Sequence, residues 1–224
     1  MAIRKTLFTI GEYYHIYNRG VDKRIIFSDE GDIDRFFQSM REFNTLNPIG
    51  SIYENSFNRQ LGSKASKLKK LVDFVGYCLN PNHYHFIITP IVENGIEKFM
   101  QRLGTGHTNY FNNKYKRSGS LFEGKFKAIH IENNEYLLHL SSYVNLNDRI
   151  HQLGSKASKL VRSRSSWGEY MIGNINGRGN FCSKDIILDQ FKNKKEYQEF
   201  AESSLESILK TKLDLKDIEK FLLE

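Results

Sequence analysis

Two strand-like runs separated by a short turn constrain this chain most. Val72 to Leu79 carries β-branched and aromatic residues, Asn80-Pro81-Asn82 reads as a turn, and Tyr84 to Thr89 resumes an apolar run that Pro90 ends. Side chains of a strand alternate faces with a period of two. His83 and His85 therefore point to one side and Tyr84 to the other. Two imidazoles side by side on a rigid strand form a natural ligand pair for a divalent metal. The plainer reading, that the two histidines merely line a sheet, stands beside it until a second constellation is found.

That constellation is Tyr143-Val144-Asn145-Leu146-Asn147. It closes a segment, Asn133 to Asn147, in which Leu137, Leu138, Leu140 and Val144 mark an apolar face at helical spacing. Residues four apart are neighbours on a helix, so Tyr143 and Asn147 present a phenol and a carboxamide side by side. A phenol with a pKa near 10 is a poor nucleophile at neutral pH. Beside a metal that also holds a phosphate, it can attack phosphorus and form a covalent ester. Taken alone, Tyr143 also fits a half-buried helix tyrosine, and Asn147 fits a helix C-cap.

The remaining elements follow in order. Tyr13 to Asn18 is a strand, and Asp29 to Phe43 a helix with Ile33, Phe36, Phe37 and Met40 at helical spacing. Gly95 to Lys114 is a helix with a break expected near Gly104 and Gly106, and Lys125 to Ile131 is a strand. Strand, helix, strand, strand, helix, strand is the split βαβ order. The expected class is thus α+β: a ferredoxin-like antiparallel sheet with helices on one face, plus C-terminal helices. The other face is left open for His83, His85 and the Tyr143 helix. Ile186 to Phe191, Lys195 to Leu209 and Leu215 to Leu223 read as short amphipathic C-terminal helices. Residues 1–150 form the expected first domain, which holds both constellations, and 151–224 an extension that either contacts the same partner or covers the site.

Taken together, these residues resemble the single-tyrosine HUH transposases, and within them the REP-associated tyrosine transposases. The resemblance runs through Tyr13-Tyr14-His15-Ile16-Tyr17-Asn18-Arg19-Gly20, Tyr77-Cys78-Leu79-Asn80-Pro81-Asn82-His83-Tyr84-His85, Phe99-Met100-Gln101, Tyr110-Phe111-Asn112, the block from Arg117 to Lys127, and Tyr143 to Asn147. Tyr84 stands where a smaller aliphatic residue is more usual between the two histidines. The resemblance implies that His83 and His85 bind Mg²⁺ or Mn²⁺, with Asn147 as a third ligand or positioning group. It implies that Tyr143 attacks DNA, leaving a 5′-phosphotyrosine and a free 3′-OH. The partner it implies is single-stranded or hairpin DNA of the REP-like kind. A carboxamide ligand and phosphate chemistry favour a hard ion over Zn²⁺.

Charge agrees with a polyanionic partner. The chain has 33 Lys and Arg against 26 Asp and Glu, a formal net charge of +7. Lys114, Arg117, Lys125 and Lys127 lie among Tyr110, Phe111, Tyr115 and Phe122, a mixture that suits single-stranded DNA. With Asn18 and Arg19 of the first matching segment, these are the expected DNA contacts. Some of the rings, Phe122 and Phe126 first, belong to the core instead. Two cysteines, Cys78 and Cys182, make no disulfide framework, and a buried free thiol in a reducing cytoplasm is expected for Cys78. No apolar run reaches 18 residues, so no membrane span is expected. A monomer and a homodimer are equally compatible with the sequence. The competing classes are a non-catalytic single-stranded nucleic-acid binder on the same fold and a metal nuclease that uses water.

One segment stands apart. Gln-Leu-Gly-Ser-Lys-Ala-Ser-Lys-Leu occurs at 60–68 and again at 152–160. Two short copies do not make a solenoid. They read as surface insertions, with paired phosphate-gripping loops as the alternative.

Overall fold

The computed structural model describes residues 6–60, 69–152, 163–173 and 181–221. Five strands form one antiparallel sheet: β1 (Tyr14–Arg19), β2 (Val72–Asn80), β3 (His83–Pro90), β4 (Lys127–His130) and β5 (Arg164–Ser165), in the order β4-β1-β3-β2-β5. Without the short edge strand β5, this is the order expected of the split βαβ fold. The helices are α1 (Glu30–Glu42), α2 (Ile52–Gln60), α3 (Gly95–Lys114), α4 (Asn134–Asn145), α5 (Asn147–Gln152), α6 (Trp167–Met171), α7 (Asp185–Leu188) and α8 (Lys194–Phe221).

α1 and α3 cover one face. Asp29 caps α1: its carboxylate accepts from the Asp32 amide, and Asp32 bonds back to the Asp29 amide. Ile33, Phe36 and Met40 of α1 then meet Phe99, Leu103 and Phe111 of α3 over Ile16, Phe74, Tyr84, Phe86 and Ile88 of the sheet. Asp32 is fully buried but satisfied. It pairs with Lys114 at 2.7 Å and accepts from the hydroxyls of Tyr110 at 3.0 Å and Tyr115 at 2.8 Å. The expected break in α3 does not occur. A side chain at Gly106 would meet the Phe43 ring at 2.6 Å, so this glycine serves close approach between α3 and the end of α1.

α4 and α8 pack on the opposite face. Leu137, Leu140 and Val144 of α4 bury Val75, Cys78 and Ile87 of the sheet, and Tyr197, Ala201 and Leu205 of α8 close over them. Two sequence boundaries shift. The tyrosine helix ends at Asn145, because Leu146 leaves helical geometry at φ −108° and ψ 11°, and Asn147 opens α5. The two later C-terminal helices are one helix of 28 residues, since no Gly or Pro interrupts Lys194 to Phe221. Among the described residues no helix is long and apolar enough to cross a membrane. Cys78 and Cys182 are both buried free thiols. Each copy of the repeated segment begins at the last residue of a helix, Gln60 of α2 and Gln152 of α5; beyond those two residues both copies lie outside the described residues.

The sheet contains one irregularity. Val72 and Phe74 of β2 face the α1–α3 core, opposite Pro90 and Ile88. Val75 is then an extra residue between the pairs Phe74–Ile88 and Gly76–Ile87. After this bulge the alternation is reversed. Tyr77 and Leu79 face the α1–α3 core, while Cys78 and Asn80 share a face with His85 and His83.

His107 of α3 is packed among Phe27, Phe36, Phe111 and Phe122, with its Nε2 2.8 Å from the Ile26 carbonyl. Burial lowers its pKa to about 4. An unfolded histidine titrates near 6.5, so the unfolded chain takes up this proton first as pH falls. The contribution to stability is intact above about pH 6.5 and is lost between there and pH 4. Urea titrations across that window should show a falling unfolding free energy for the wild type. A His107→Phe variant should show a shallower fall, by up to about 1.4 kcal/mol per pH unit. An unchanged slope would show that His107 does not titrate with unfolding.

A candidate metal and nucleophile site on the second sheet face

β1 and β3 set the site by register. Arg19 lies opposite His83, Tyr17 opposite His85, and His15 opposite Ile87. Residues paired in this way share a face. His15, Tyr17, Arg19, His83 and His85 thus stand on the face that α4 crosses. α4 starts at Asn133, whose side chain accepts from the Tyr136 amide at 2.8 Å. Its apolar stripe fixes its rotation and turns Tyr143 toward the histidines. The Tyr143 ring meets His85 edge-on at 5.4 Å and His15 at 6.5 Å between centroids.

The histidine pair is held by neighbours that the sequence did not single out. The Asn82 amide donates to the Lys23 carbonyl at 3.3 Å, which leaves its Oδ1 facing His83 Nδ1 at 2.6 Å. His83 therefore carries its proton on Nδ1 and presents a lone pair at Nε2. Asn147 Oδ1 lies 3.3 Å from that Nε2. Two acceptors this close need a positive partner. Here Asn80 Nδ2 serves both, at 3.0 Å from His83 Nε2 and 2.7 Å from Asn147 Oδ1. On the other histidine, His85 Nδ1 lies 2.9 Å from His15 Nε2. This orients the ring and leaves Nε2 as its other ring nitrogen. Burial lowers the His15 pKa to about 4, so it is neutral at pH 7.

Asn80 and Asn147 are fully buried, and Asn80 Oδ1 and Asn147 Nδ2 have no hydrogen-bond partner. Orphaned amide ends of this kind are uncommon, and each calls for an explanation. No group of three His, Cys, Asp or Glu gathers among the described residues. Any cation here would rest on imidazole and carboxamide donors, which fits a site completed by phosphate oxygens. Burial raises the pKa of the half-buried Tyr143 phenol, against a smaller lowering influence of the nearby Asn147 amide. At neutral pH the phenol keeps its proton.

A second network ties α4 to the sheet and to α8. Asn145 Nδ2 donates to the Tyr197 hydroxyl at 2.9 Å, and Ser141 Oγ bonds the same hydroxyl at 3.1 Å. Ser166 Oγ bonds Asn145 Oδ1 and accepts from the Tyr77 amide at 2.9 Å. Gly76 leaves the space in which Ser166 and Asn145 approach β2.

The basic residues separate into groups. Arg19 and Lys127 stand on the site face. Arg19 pairs with Glu123, and Lys127 lies 6.0 Å over the Tyr17 ring. Asn18 points the other way; it is buried, and its amide donates to the Gly124 carbonyl at 3.2 Å. It lines a cavity of about 730 Å³ together with Lys125. Lys114 and Arg117 sit beyond α1–α3. Lys114 is held by Asp29 and Asp32, and Arg117 lies 5.7 Å over Phe111. The structure therefore gathers His83, His85, Tyr143 and Asn147 and does not bring Lys114, Arg117 or Asn18 to them. Asn80, Asn82 and His15 were the site residues not recognised in the sequence. The two asparagines read there as turn formers, and His15 as one position of a strand.

Two comparisons bear on this sheet with its His-x-His pair beneath a helix tyrosine. Residues 52–147, which include β2, β3 and α4 with Asn80, the histidine pair, Tyr143 and Asn147, match the family model "Transposase IS200 like". Over this region, less than half of the chain, the protein is similar to the IS200-like transposases. By fold it is similar to a solved structure described as the REP-associated tyrosine transposase bound to a REP hairpin. The TM-score is 0.51 at 11% identity, covering 81% of this chain and 90% of that one. No curated protein matches the chain.

Replacing Tyr197 by Phe removes the hydroxyl that Asn145 and Ser141 share. Leaving a buried amide unpaired costs about 1–3 kcal/mol. Urea denaturation of Tyr197→Phe should show a loss of that size. A loss within error of zero would mean that α8 does not brace α4 through this hydroxyl.

Proposed function

We propose that the protein is a DNA transposase and endonuclease that cleaves and rejoins single-stranded or hairpin DNA through Tyr143. The observation that carries this reading is the convergence of two lone pairs, His83 Nε2 and Asn147 Oδ1, 3.3 Å apart on the sheet face that Tyr143 shares with His85. His83, His85 and Asn147 would hold one Mg²⁺ or Mn²⁺. When bound, that ion supplies positive charge to the scissile phosphate and to the charge that builds up in the transition state.

The rest falls to the chain. Asn82 keeps the His83 lone pair available, and His15 orients His85. Tyr143 attacks phosphorus through its phenolic oxygen. The bond from phosphorus to the 3′-oxygen breaks, and that oxygen leaves as a 3′-OH with one proton for the one the phenol gives up. A 5′-phosphotyrosine remains. Because one ester replaces another, an incoming 3′-OH can reverse the step without ATP. The solved relative's REP hairpin supports a hairpin as the substrate. Asn18, Arg19, Lys114, Arg117, Lys125 and Lys127 are the proposed DNA contacts, with Arg19 and Lys127 beside the chemistry. Residues 1–150 form the catalytic domain. The extension 151–224 supports it, since α8 packs on α4. Two buried free thiols suit a reducing cytoplasm.

Tyr143→Phe keeps the ring and removes only the hydroxyl. Incubation with labelled hairpin DNA and Mg²⁺, followed by a denaturing gel, should show a covalent adduct for wild type and none for this variant, with DNA binding retained. An adduct on Tyr143→Phe would rule out this nucleophile. Cleavage without an adduct in wild type would identify a water-using nuclease.

His83→Ala, His85→Ala or EDTA should abolish cleavage while weakening DNA binding only slightly, since Lys and Arg supply most of the affinity for phosphate. Cleavage that persists in EDTA would sink the metal role.

A further inference from the structure

Asn80 occupies a place that a turn residue does not need. It ends β2, is fully buried, and lies among the groups assigned above to the metal. Its Nδ2 stands 3.0 Å from His83 Nε2 and 2.7 Å from Asn147 Oδ1, and those two atoms are 3.3 Å apart. The three positions form a nearly equilateral triangle. Adjacent ligands of an octahedral Mg²⁺ with bonds near 2.1 Å lie about 3.0 Å apart. The triangle therefore has the dimensions of one face of such an octahedron.

The amide now offers its donor end to this triangle, while its acceptor end, Oδ1, is buried with no partner. A half-turn about the Cβ–Cγ bond exchanges the two ends at little cost, because this torsion is broad and close to two-fold. Oδ1 would then stand at the third corner. The two acceptors that Asn80 Nδ2 serves here are those a cation would serve instead. Asn147 Nδ2, also without a partner, is the second orphaned amide end at the same spot.

We propose that Asn80 is a further oxygen ligand of the divalent cation, facing it together with His83 Nε2 and Asn147 Oδ1. This rests on the metal reading of the site. It makes the donor set His83, His85, Asn147 and Asn80, which carries no charge of its own. Affinity for the ion should then be modest without DNA and should rise when phosphate is present. The bulge at Val75 is what delivers the residue, since without the reversal Asn80 would face the α1–α3 core.

A simple orienting role, in which Asn80 only donates to Asn147, predicts a different response to charge. An aspartate at 80 would add an anionic ligand to a bound cation and tighten binding. The same aspartate would face Asn147 Oδ1 as one acceptor against another and weaken it if donation were the whole role. The experiment measures Mn²⁺ binding by calorimetry and by the EPR signal of free Mn²⁺, on full-length protein in the Tyr143→Phe background. It is run with and without single-stranded DNA, with His83→Ala as the reference for a lost site. Asn80→Asp should bind Mn²⁺ at least about ten-fold more tightly than the parent. Asn80→Leu, similar in size but without donors, should bind it about 10–100-fold more weakly. Circular dichroism and thermal melting establish that each variant is folded; if Leu is not tolerated, Asn80→Ser takes its place in the same comparison. Unchanged binding in the Leu or Ser variant, or weaker binding in a folded Asn80→Asp, overturns the proposal. Should the parent bind no Mn²⁺ in either condition, or should His83→Ala bind as the parent does, the metal reading itself falls, and this ligand with it.

Discussion

The extra residue at Val75 decides which side of β2 each later side chain takes. Strand alternation is rigid, so a single inserted residue moves every following side chain to the opposite face. Tyr77 and Leu79 enter the aromatic core beneath α1 and α3. Cys78 becomes part of the floor on which α4 rests, and Asn80 arrives beside His83 and Asn147. The core and the site are thus two consequences of one irregularity. β1 has no such feature, and its uniform alternation delivers His15 and Tyr17 to the site face and Tyr14 and Ile16 to the core.

The site itself is a problem of unshared lone pairs. Asn82 Oδ1 accepts from His83 Nδ1–H and so leaves Nε2 an acceptor that faces another acceptor, Asn147 Oδ1. A folded protein does not hold two such groups 3.3 Å apart without a positive group between them or beside them. Asn80 supplies that group as an N–H. The same arrangement makes the place attractive to a hard cation, and Tyr143 stands on the same face against His85. In the proposed function, phosphate binding and transesterification would both draw on these neutral, preorganised donors.

α4 must hold Tyr143 over a strand pair with little tolerance, and it does not do so alone. Its apolar stripe fixes rotation about the helix axis, but translation is set by polar contacts. Tyr197 of α8 bonds Ser141 and Asn145, and Ser166 joins Asn145 to the backbone of β2. The helix end at Leu146 then redirects the chain, and Asn147 takes its place on a new helix. The i, i+4 argument brings Tyr143 and Asn147 together correctly, although an unbroken helix is not what joins them.

Much of this was legible in the residues. Period-two alternation is a local property, so His83 and His85 shared a face before any fold was known. The helical spacing of Ile33, Phe36 and Met40, and of Leu137, Leu140 and Val144, marked the two helix faces that now bury them, and the order of elements gave the sheet. What the sequence could not determine depended on long-range packing. Asn80 and Asn82 carry the composition of a turn, and only strand pairing shows that one faces His83 and Asn147 and the other sets a tautomer. Alternation counted from Val72 would have put Asn80 in the core, because a bulge leaves no mark in composition. Lys114 stands beside aromatic neighbours in the sequence, and only the fold shows that α1 brings Asp29 and Asp32 against it from 85 and 82 residues away. Local chemistry fixed which residues could act; the tertiary structure decided which of them meet, because a register or an ion pair exists only between segments that the chain has already brought together.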